Sequence, residues 1–410
     1  MRVKPLERDA PESIKRIRIE ESDMTEMIFG TVPERDVEPI LPKWWRTIDK
    51  LTILFVLLLF CIGLLLSNAA SLPLAVKNGH EPFYYFQRHV VFGTMAIAIM
   101  LITSMMNPRY IRRIAVLGFL LAFAALLLLP FLGTDFGKGA VRWYSLGFVS
   151  LQPSEFLKPL LIVFTAWLMA ASQEINGPPG MKWSFIVTIA VVLLLALQPD
   201  FGQSALVVCA WGVMYFIAGA EIIVLFALVF LVMAAGVYFY KTSEHLSRRI
   251  DGYLSGDHAP NSQLGFAENA IREGGLLGVG PGEGELKWNL PDAHSDFIIA
   301  VAAEEYGLFL VMLIIFLYLL IMSRSMHRLM RDRDPFIRLA GTGLVTMFSV
   351  QAIINIGVAA RLLPAKGMTL PMVSYGGSSM LAIGFALGMI IAFTRTKVQG
   401  EIRDVLRGNM

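Results

Sequence analysis

The sequence has little charge and almost no cysteine. Of its 410 residues, 16% are charged and two are cysteines, whereas a soluble domain carries roughly 25% charged residues. So few charged side chains cannot cover the surface of a soluble protein of this size, which excludes a single-domain soluble enzyme. The net charge of +3 is too small to indicate nucleic-acid binding. Cys61 and Cys209 both lie in apolar runs, which favours two buried thiols over a disulfide.

Apolar residues, in contrast, make up 56% of the chain, and the mean hydropathy is +0.62. A membrane-spanning helix needs about 20 such residues. We therefore predict an all-α polytopic membrane protein with ten transmembrane helices. The predicted spans are 51–68, 88–105, 113–133, 156–172, 183–198, 203–218, 221–239, 296–322, 338–359 and 376–394.

Basic residues set the predicted orientation. The even number of spans places both termini on one side, which carries 23 Lys/Arg against 11 on the other. By the positive-inside rule, that side is cytoplasmic. The predicted organisation is a polar tail at 1–46 without a cleavable signal peptide, a membrane domain at 47–398 and a tail at 399–410. The N-terminal tail is expected to be at least partly disordered. A long loop at 240–295, between the seventh and eighth spans, lies on the outer face, where we expect the chemistry.

Four polar clusters interrupt the apolar runs, where charges are costly and indicate function by default. The first joins Arg142 to Gln152, Glu155 and Lys158. Pro153 suits the first turn of a helix, which places Glu155 and Lys158 three residues apart on one face. The two side chains either neutralise each other as an ion pair, or Lys158 faces a polar cavity and meets a carboxylate from another helix. We favour the cavity, because Lys158 lies inside the span.

The second cluster is the run QPDFGQ at 198–203, which contains Asp200. An Asp directly ahead of a helical run is a common N-cap. A charge placed between two apolar runs also suits a functional role. The two interpretations carry equal weight.

The third cluster closes the long loop with LPDAHSDFIIA at 290–300. Ser295 or Asp296 suits the N-cap of the following helix. Asp296, at the bilayer edge beside His294, also suits a general base, because burial and nearby cations tune the pKa of such a carboxylate. The spacing alone does not separate a cap from a catalyst.

The fourth cluster is RLLPAKGMTLPMVSYGGSS at 361–379. Non-helical backbone between two spans is tolerated only where protein or water surrounds it. The N–H groups at the start of the next helix, with the hydroxyls of Ser374 and Ser378, suit phosphate. An ordinary turn with a capped helix explains the pattern equally well. The glycine-rich run at 274–284 has no strand ahead of it, so it predicts a flexible or tightly turned segment rather than a nucleotide loop.

Three of these motifs resemble the SEDS family (shape, elongation, division and sporulation). They are QPSEFLK at 152–158, LPDAHSDFI at 290–298 and LLPAKGMTLPMVSYGGSS at 362–379. The resemblance covers about 45–398. Three features resemble the cell-division branch more than the elongation branch. They are the TIDK start at 47–50, the polar N-terminal extension and the sequence KGMTLP.

The resemblance implies a ten-helix peptidoglycan glycosyltransferase that polymerises lipid II in the bacterial cytoplasmic (inner) membrane, at the division septum. The implied ligands and partners are undecaprenyl-diphosphate-linked glycan, a class B penicillin-binding protein (an FtsI-like transpeptidase) and other divisome proteins, with no nucleic acid. No cofactor is certain. A divalent cation (Mg or Mn) could share the diphosphate, although no complete ligand set is visible.

The resemblance also implies roles for individual residues. The family's essential acid falls on Asp296, its lysine near that acid on Lys158, and its arginine on Arg142. Asp296 is then the base that takes the attacking hydroxyl's proton, while Lys158 and Arg142 tune it or hold phosphate. Asp292 replaces the more frequent Glu and has a supporting role. The remaining candidate supporting or substrate-binding residues are Gln152, Glu155, His294, Lys366, Ser374 and Ser378.

Two other functions stay open at this point. A flippase of lipid-linked precursors would use the same polar cavity and the helix breaks at 198–203 and 360–377. No inverted repeat is obvious, however, and the polar clusters gather at the outer face. A non-catalytic scaffold would instead recruit division proteins through its tails.

Overall fold

A computed structural model describes residues 39–134, 141–145, 147, 150–220, 222–242, 247, 251, 263–290, 292–364 and 367–396. The chain divides into two units, 1–46 and 47–410. The described part of the first unit belongs to a short helix, α1 (Ile40–Thr47). Most of both predicted tails lies outside the described residues.

In the described part of the second unit, a helix lies at each of the ten predicted spans. The helices are α2 (Lys50–Lys77), α3 (Tyr84–Met105), α4 (Pro108–Leu132), α5 (Pro153–Ala171), α6 (Gly180–Leu197), α7 (Phe201–Ile217), α8 (Ile222–Thr242), α9 (Gln263–Gly274), α10 (Ile298–Leu329), α11 (Pro335–Ala359) and α12 (Gly377–Phe393). Only α9 falls outside a predicted span. Among the described helices, seven are long and apolar enough to cross a membrane, namely α2 to α6, α10 and α11. The helices α7 and α12 are apolar but shorter.

The core of the second unit lies around α5 and α11. Their most apolar windows are 67% and 78% buried, against 22–39% for the other five long spans. The helix α11 packs against α5, α7, α10 and α12, and α12 packs along α3. A Cβ at Gly384 would lie 2.3 Å from the Ala96 carbonyl oxygen, and one at Gly388 would lie 2.7 Å from the Met100 carbonyl oxygen. Two glycines four residues apart therefore let α12 approach α3 closely, as small residues do between membrane helices.

The glycine-rich segment ahead of the third motif is tightly turned against α10. The helix breaks at Gly307, whose φ is 75°. The N–H groups of Val279 and Gly280 donate to the carbonyls of Glu304 and Glu305, at 2.9 and 3.1 Å. These bonds satisfy carbonyls that the break leaves without helical partners. The segment is therefore held in place by backbone pairing.

A charged cluster joins helix ends at the opposite end of the helices. Asp49, directly ahead of α2, accepts from Arg324 Nε at 2.5 Å and pairs with Arg328 at 3.3 Å. Burial alone would raise the pKa of Asp49. Hydrogen bonds from Arg324 and Thr52, with the charge of Arg328, outweigh burial and hold the pKa below its ordinary value.

The two cysteines correct one expectation. Cys61 of α2 and Cys209 of α7 form no disulfide, but both are exposed on the helix surface. The prediction of buried thiols is therefore wrong. On an apolar helix such a position suits contact with lipid, where a thiol acts as a small apolar group.

Candidate functional site

The turn that carries Asp296 is held by backbone hydrogen bonds. The Asp292 carbonyl accepts the N–H groups of Ser295 and Asp296, both at 3.0 Å. Asp292 has a φ of 58°, in the left-handed region that Asp tolerates better than most residues. The helix α10 begins at Ile298 with Phe297 at its N-cap. The interpretation of Ser295 or Asp296 as an N-cap is therefore wrong.

Asn355 of α11 joins this turn to the fourth motif. Its Nδ2 donates to the Asp296 carbonyl at 3.1 Å and to the Met368 carbonyl at 2.6 Å. Asn355 is buried, whereas Asp296 is half-buried. A Cβ at Gly367 would lie 3.5 Å from Asp296 Oδ2. The backbone of Asp296 is thus fixed from the core, while its carboxylate lies beside a residue with no side chain.

Residues 368–374 of the fourth motif form a largely buried, non-helical segment that bonds to the same turn. The Ser374 hydroxyl donates to the Ser295 carbonyl and accepts the Leu370 N–H. The Tyr375 N–H donates to the His294 carbonyl at 3.1 Å. The protein therefore surrounds this irregular backbone and satisfies its polar groups, as the bilayer requires.

The hydroxyls at the start of α12 make bonds within the protein. Ser378 Oγ accepts the Gln152 N–H at 3.4 Å, and Ser379 Oγ lies 2.8 Å from Thr369 Oγ1. Gly376 occupies the N-cap position without a side-chain cap. These contacts favour the turn interpretation over phosphate binding. They also join the start of α5 to the start of α12.

Glu155, Lys158 and Gln203 form a buried network between α5 and α7. Lys158 Nζ donates to Glu155 Oε2 at 2.9 Å and to Gln203 Oε1 at 2.7 Å. Gln203 Nε2 closes the ring by donating to Glu155 Oε1 at 2.7 Å. The direct contact favours the ion-pair interpretation of Lys158, although the charge of Lys158 also acts on Asp200 at the start of α7. The acidic partner of Lys158 is Glu155 on its own helix, and Asp296 is not among its direct partners.

Arg142 holds the connection between α6 and α7. Its Nε donates to the Gln198 carbonyl at 3.1 Å and its Nη2 to the Pro199 carbonyl at 3.0 Å. Asp200 follows at the N-cap position of α7, without a side-chain cap bond. Burial raises the pKa of Asp200 by more than the nearby Arg142 charge lowers it.

A second buried ion pair lies between the long loop and α10. Lys287 Nζ donates to Glu305 Oε1 at 2.5 Å and to the Gly282 carbonyl at 2.9 Å. The Leu286 N–H donates to Glu304 Oε1 at 2.8 Å. Lys287, Glu304 and Glu305 are all buried. These bonds fix the segment directly ahead of the Asp296 turn.

The structure brings the predicted residues together in part. Around the turn lie Asp292, His294, Asp296 and Ser374. Gln152 and Ser378 contact each other, Glu155 and Lys158 form the buried pair, and Arg142 contacts the backbone at 198–199. Lys366 lies outside the described residues. The sequence reasoning missed Asn355 and Lys287 and assigned no role to Gln203 of the second cluster, although an Asn inside an apolar span is itself a signal of a buried polar contact.

These features define a helical membrane protein with an acidic turn fixed at one end of its helices. A family model described as "Cell cycle protein" (FTSW_RODA_SPOVE) matches residues 49–399. The chain belongs to this family, which confirms the SEDS resemblance.

Relatives and solved structures agree with this assignment. A protein of Caulobacter vibrioides named "Probable peptidoglycan glycosyltransferase FtsW" is 42% identical over 87% of this chain and 92% of its own. One of the same name from Trichlorobacter lovleyi is 33% identical over 84% and 92%.

A solved structure described as "Structural coordination of polymerization and crosslinking by a peptidoglycan synthase complex" matches with a TM-score of 0.69 and 25% identity. It covers 85% of this chain and 97% of the matched chain. The Thermus thermophilus rod shape determining protein RodA shares the fold, with a TM-score of 0.62, 23% identity and the same coverage.

Proposed function

We propose that this chain is a peptidoglycan glycosyltransferase of the cell-division branch, which polymerises lipid II into glycan strands. The names of the relatives support the activity and the branch. The observation that carries the proposal is the Asp296 turn. Its backbone is fixed by Asn355 and Asp292, while its half-buried carboxylate lies beside Gly367.

In this mechanism Asp296 is the general base. The 4-hydroxyl of the acceptor sugar attacks the anomeric carbon of the donor, and its proton passes to the Asp296 carboxylate. The new carbon–oxygen bond forms as the bond from the anomeric carbon to the diphosphate breaks. The lipid diphosphate leaves with the electron pair. A turn held by backbone bonds suits this task, because a base must stay within hydrogen-bond reach of the proton it accepts.

Arg142 is the cation that we assign to the leaving diphosphate. Its Nε and Nη2 already bond to backbone carbonyls, which orients the guanidinium. Its Nη1 makes no hydrogen bond to the part of the chain that the structure describes. An oriented guanidinium with a remaining donor suits a developing phosphate charge. Lys158 is reassigned to a supporting role, since its ammonium already bonds to Glu155 and Gln203.

The described residues do not form a complete set of protein ligands for a divalent cation. Within the described ranges, no group of three or more His, Cys, Asp or Glu side chains could hold a metal ion. Cation sites for Mg²⁺ use carboxylates together with substrate phosphates. The steps above are assigned to residues of this chain alone.

We further propose that ten helices cross the cytoplasmic membrane with both termini inside, so that the Asp296 turn lies on the outer side. Lys/Arg counts support this orientation. A penicillin-binding transpeptidase is the proposed partner, with assembly at the division septum. The solved synthase complex of polymerisation and crosslinking supports such a pairing.

The direct test is polymerisation of lipid II by the purified protein, alone and with its cognate transpeptidase. Wild-type protein should make glycan polymer in detergent in at least one of the two conditions. Asp296→Asn should lose roughly 100- to 10,000-fold in rate, the range for removal of a general base. Polymer from Asp296→Asn at near-normal yield would contradict the assigned base. Absence of polymer from the wild type in both conditions would favour the flippase.

A further inference from the structure

A continuous set of aromatic and imidazole rings leads to the Asp296 turn. We call it the ring series, and it consists of His80, Tyr84, Tyr85, His294 and Tyr375. His80 stacks on Tyr84 with ring centroids 4.3 Å apart, and Tyr84 meets Tyr85 edge-on at 5.1 Å. Tyr85 lies 5.6 Å from His294, which lies 5.7 Å from Tyr375. The ring series therefore crosses from the start of α3 to the two motif segments.

Exposure falls along the ring series toward the site. His80 is exposed, Tyr84, Tyr85 and Tyr375 are half-buried, and His294 is buried. His294 stands two positions ahead of Asp296 in the same turn. The inner end of the ring series is thus part of the structure that fixes the base, and its outer end is open to solvent or substrate.

Hydrogen bonds hold the two central rings in place. Asn78 Nδ2 donates to the Tyr85 hydroxyl at 2.8 Å. Arg88 Nη1 donates to the Tyr84 hydroxyl at 3.1 Å, and its guanidinium lies 5.4 Å from the Tyr84 ring centroid. Rings held in this way lose little freedom when a ligand binds, which favours affinity.

Such rings suit two classes of ligand, lipid headgroups and sugars. In the lipid headgroup region, tyrosines near helix ends occur as separate anchors. Here the rings contact one another and end at a catalytic turn, which a headgroup anchor does not require. A pyranose presents a face of C–H groups and an edge of hydroxyls. Tyrosine and imidazole offer the matching pair, an apolar ring face with a polar edge.

We propose that the ring series is a sugar-binding track that holds the pyranose rings of the glycan strand beside Asp296. This inference rests on the proposed function, because it takes the strand as the polymer of that reaction. A track of this kind retains the strand between successive condensations. Its loss should therefore shorten the product and weaken binding of free glycan.

The first test compares strand length for Tyr85→Leu, Tyr85→Phe and wild type. Tyr85→Leu should shorten the mean strand, while Tyr85→Phe should restore most of the length, because it keeps the ring. Phe83→Leu is the matched control. Phe83 is 56% exposed at the N-cap of α3, and it makes no ring contact within the described part of the chain, so its change should leave strand length unaltered.

The second test measures binding without catalysis. The probe is a lipid-free tetrasaccharide of alternating N-acetylglucosamine and N-acetylmuramic acid, titrated into purified Asp296→Asn protein. Adding Tyr85→Leu should raise its Kd by roughly 2- to 10-fold, the range for one aromatic contact. Tyr84→Leu should act in the same direction, and it carries the test if Tyr85→Leu does not fold.

The outcomes separate the two proposals. A wild type that makes no polymer contradicts the proposed function. In that case the change in tetrasaccharide Kd on Tyr85→Leu still tests whether the ring series binds sugar. A wild type that polymerises, with unchanged strand length and unchanged tetrasaccharide Kd in Tyr84→Leu and Tyr85→Leu, overturns the track.

Discussion

The buried network of Glu155, Lys158 and Gln203 lies at the starts of α5 and α7, and the Asp296 turn lies directly ahead of α10. The two are built differently. In the network, side chains bond to side chains, and all three residues are buried. In the turn, backbone carbonyls accept the bonds, and the Asp296 side chain is half-buried. The network is thus closed by bonds between its own side chains, whereas the turn is fixed through its backbone and leaves Asp296 half-buried.

This difference separates two uses of charge in a membrane protein. Buried charge is costly and persists where it is paired and hydrogen-bonded. A paired charge of that kind supports the packing of helices. A reacting carboxylate needs a different arrangement, in which its backbone is fixed and its side chain lies within reach of a substrate.

Removing the lysine should break the network most severely. Lys158→Met leaves Glu155 buried without its cation, which should lower the free energy of unfolding by about 3–5 kcal/mol. Thermal and chemical unfolding in detergent would measure the loss. The double variant Lys158→Met, Glu155→Gln should recover a large part of it, because no unpaired charge remains. Unchanged stability of the single variant would show that the network does not support the fold.

Asn355→Leu should have the next largest effect, this time on the turn. It leaves the carbonyls of Asp296 and Met368 without their donor, at a cost of about 1–3 kcal/mol. Since the base is then less well placed, kcat for lipid II polymerisation should fall while KM changes little. Gln351→Leu is the matched control on α11, because Gln351 bonds to the Thr369 carbonyl instead of the turn. Equal kcat losses in both variants would argue against a special role for Asn355.

A third prediction contrasts the two acids of the turn. Asp292 acts through its left-handed backbone, which Asn also tolerates. Asp292→Asn should therefore keep most of the activity, and Asp292→Val should cost about 1–3 kcal/mol in stability through backbone strain. Strand synthesis and unfolding midpoints would measure both. Loss of synthesis in Asp292→Asn with an intact fold would assign the Asp292 carboxylate a direct chemical role.

The smallest expected effect concerns Asp49, which forms ion pairs with Arg324 and Arg328 at the opposite end of the helices from the turn. The folded-state pKa of Asp49 lies below its ordinary value. Asp49 therefore stabilises the protein at pH values above that ordinary pKa. The contribution is lost as pH falls through the lowered folded-state pKa. Asp49→Asn should cost about 1 kcal/mol at pH 7, since Arg324 is 35% exposed and solvent screens the pair. Unfolding midpoints of wild type and Asp49→Asn should converge at acid pH, and a constant difference would contradict this role.

The helices were predictable from the sequence because each span is a long apolar run. The start of α10 was not, since the turn at 292–297 contains polar residues that also suit a helix cap. Its backbone path depends on Asn355, 59 positions away in the chain. The partner of Lys158 was misjudged for a related reason. Spacing placed Glu155 within reach of Lys158 on the same helix, but the side-chain amide of Gln203, from a second helix, bonds to both of them.

The most direct test of the comparison measures the single-turnover rate of lipid II polymerisation and the unfolding temperature of Asp296→Asn and Lys158→Met side by side. Asp296→Asn should keep the wild-type unfolding temperature and lose the chemical step. Lys158→Met should unfold at a lower temperature and, where it stays folded, retain a measurable rate. A folded Asp296→Asn with wild-type rate, or a fully stable Lys158→Met with no chemical step, would contradict the division between a supporting network and a reacting turn.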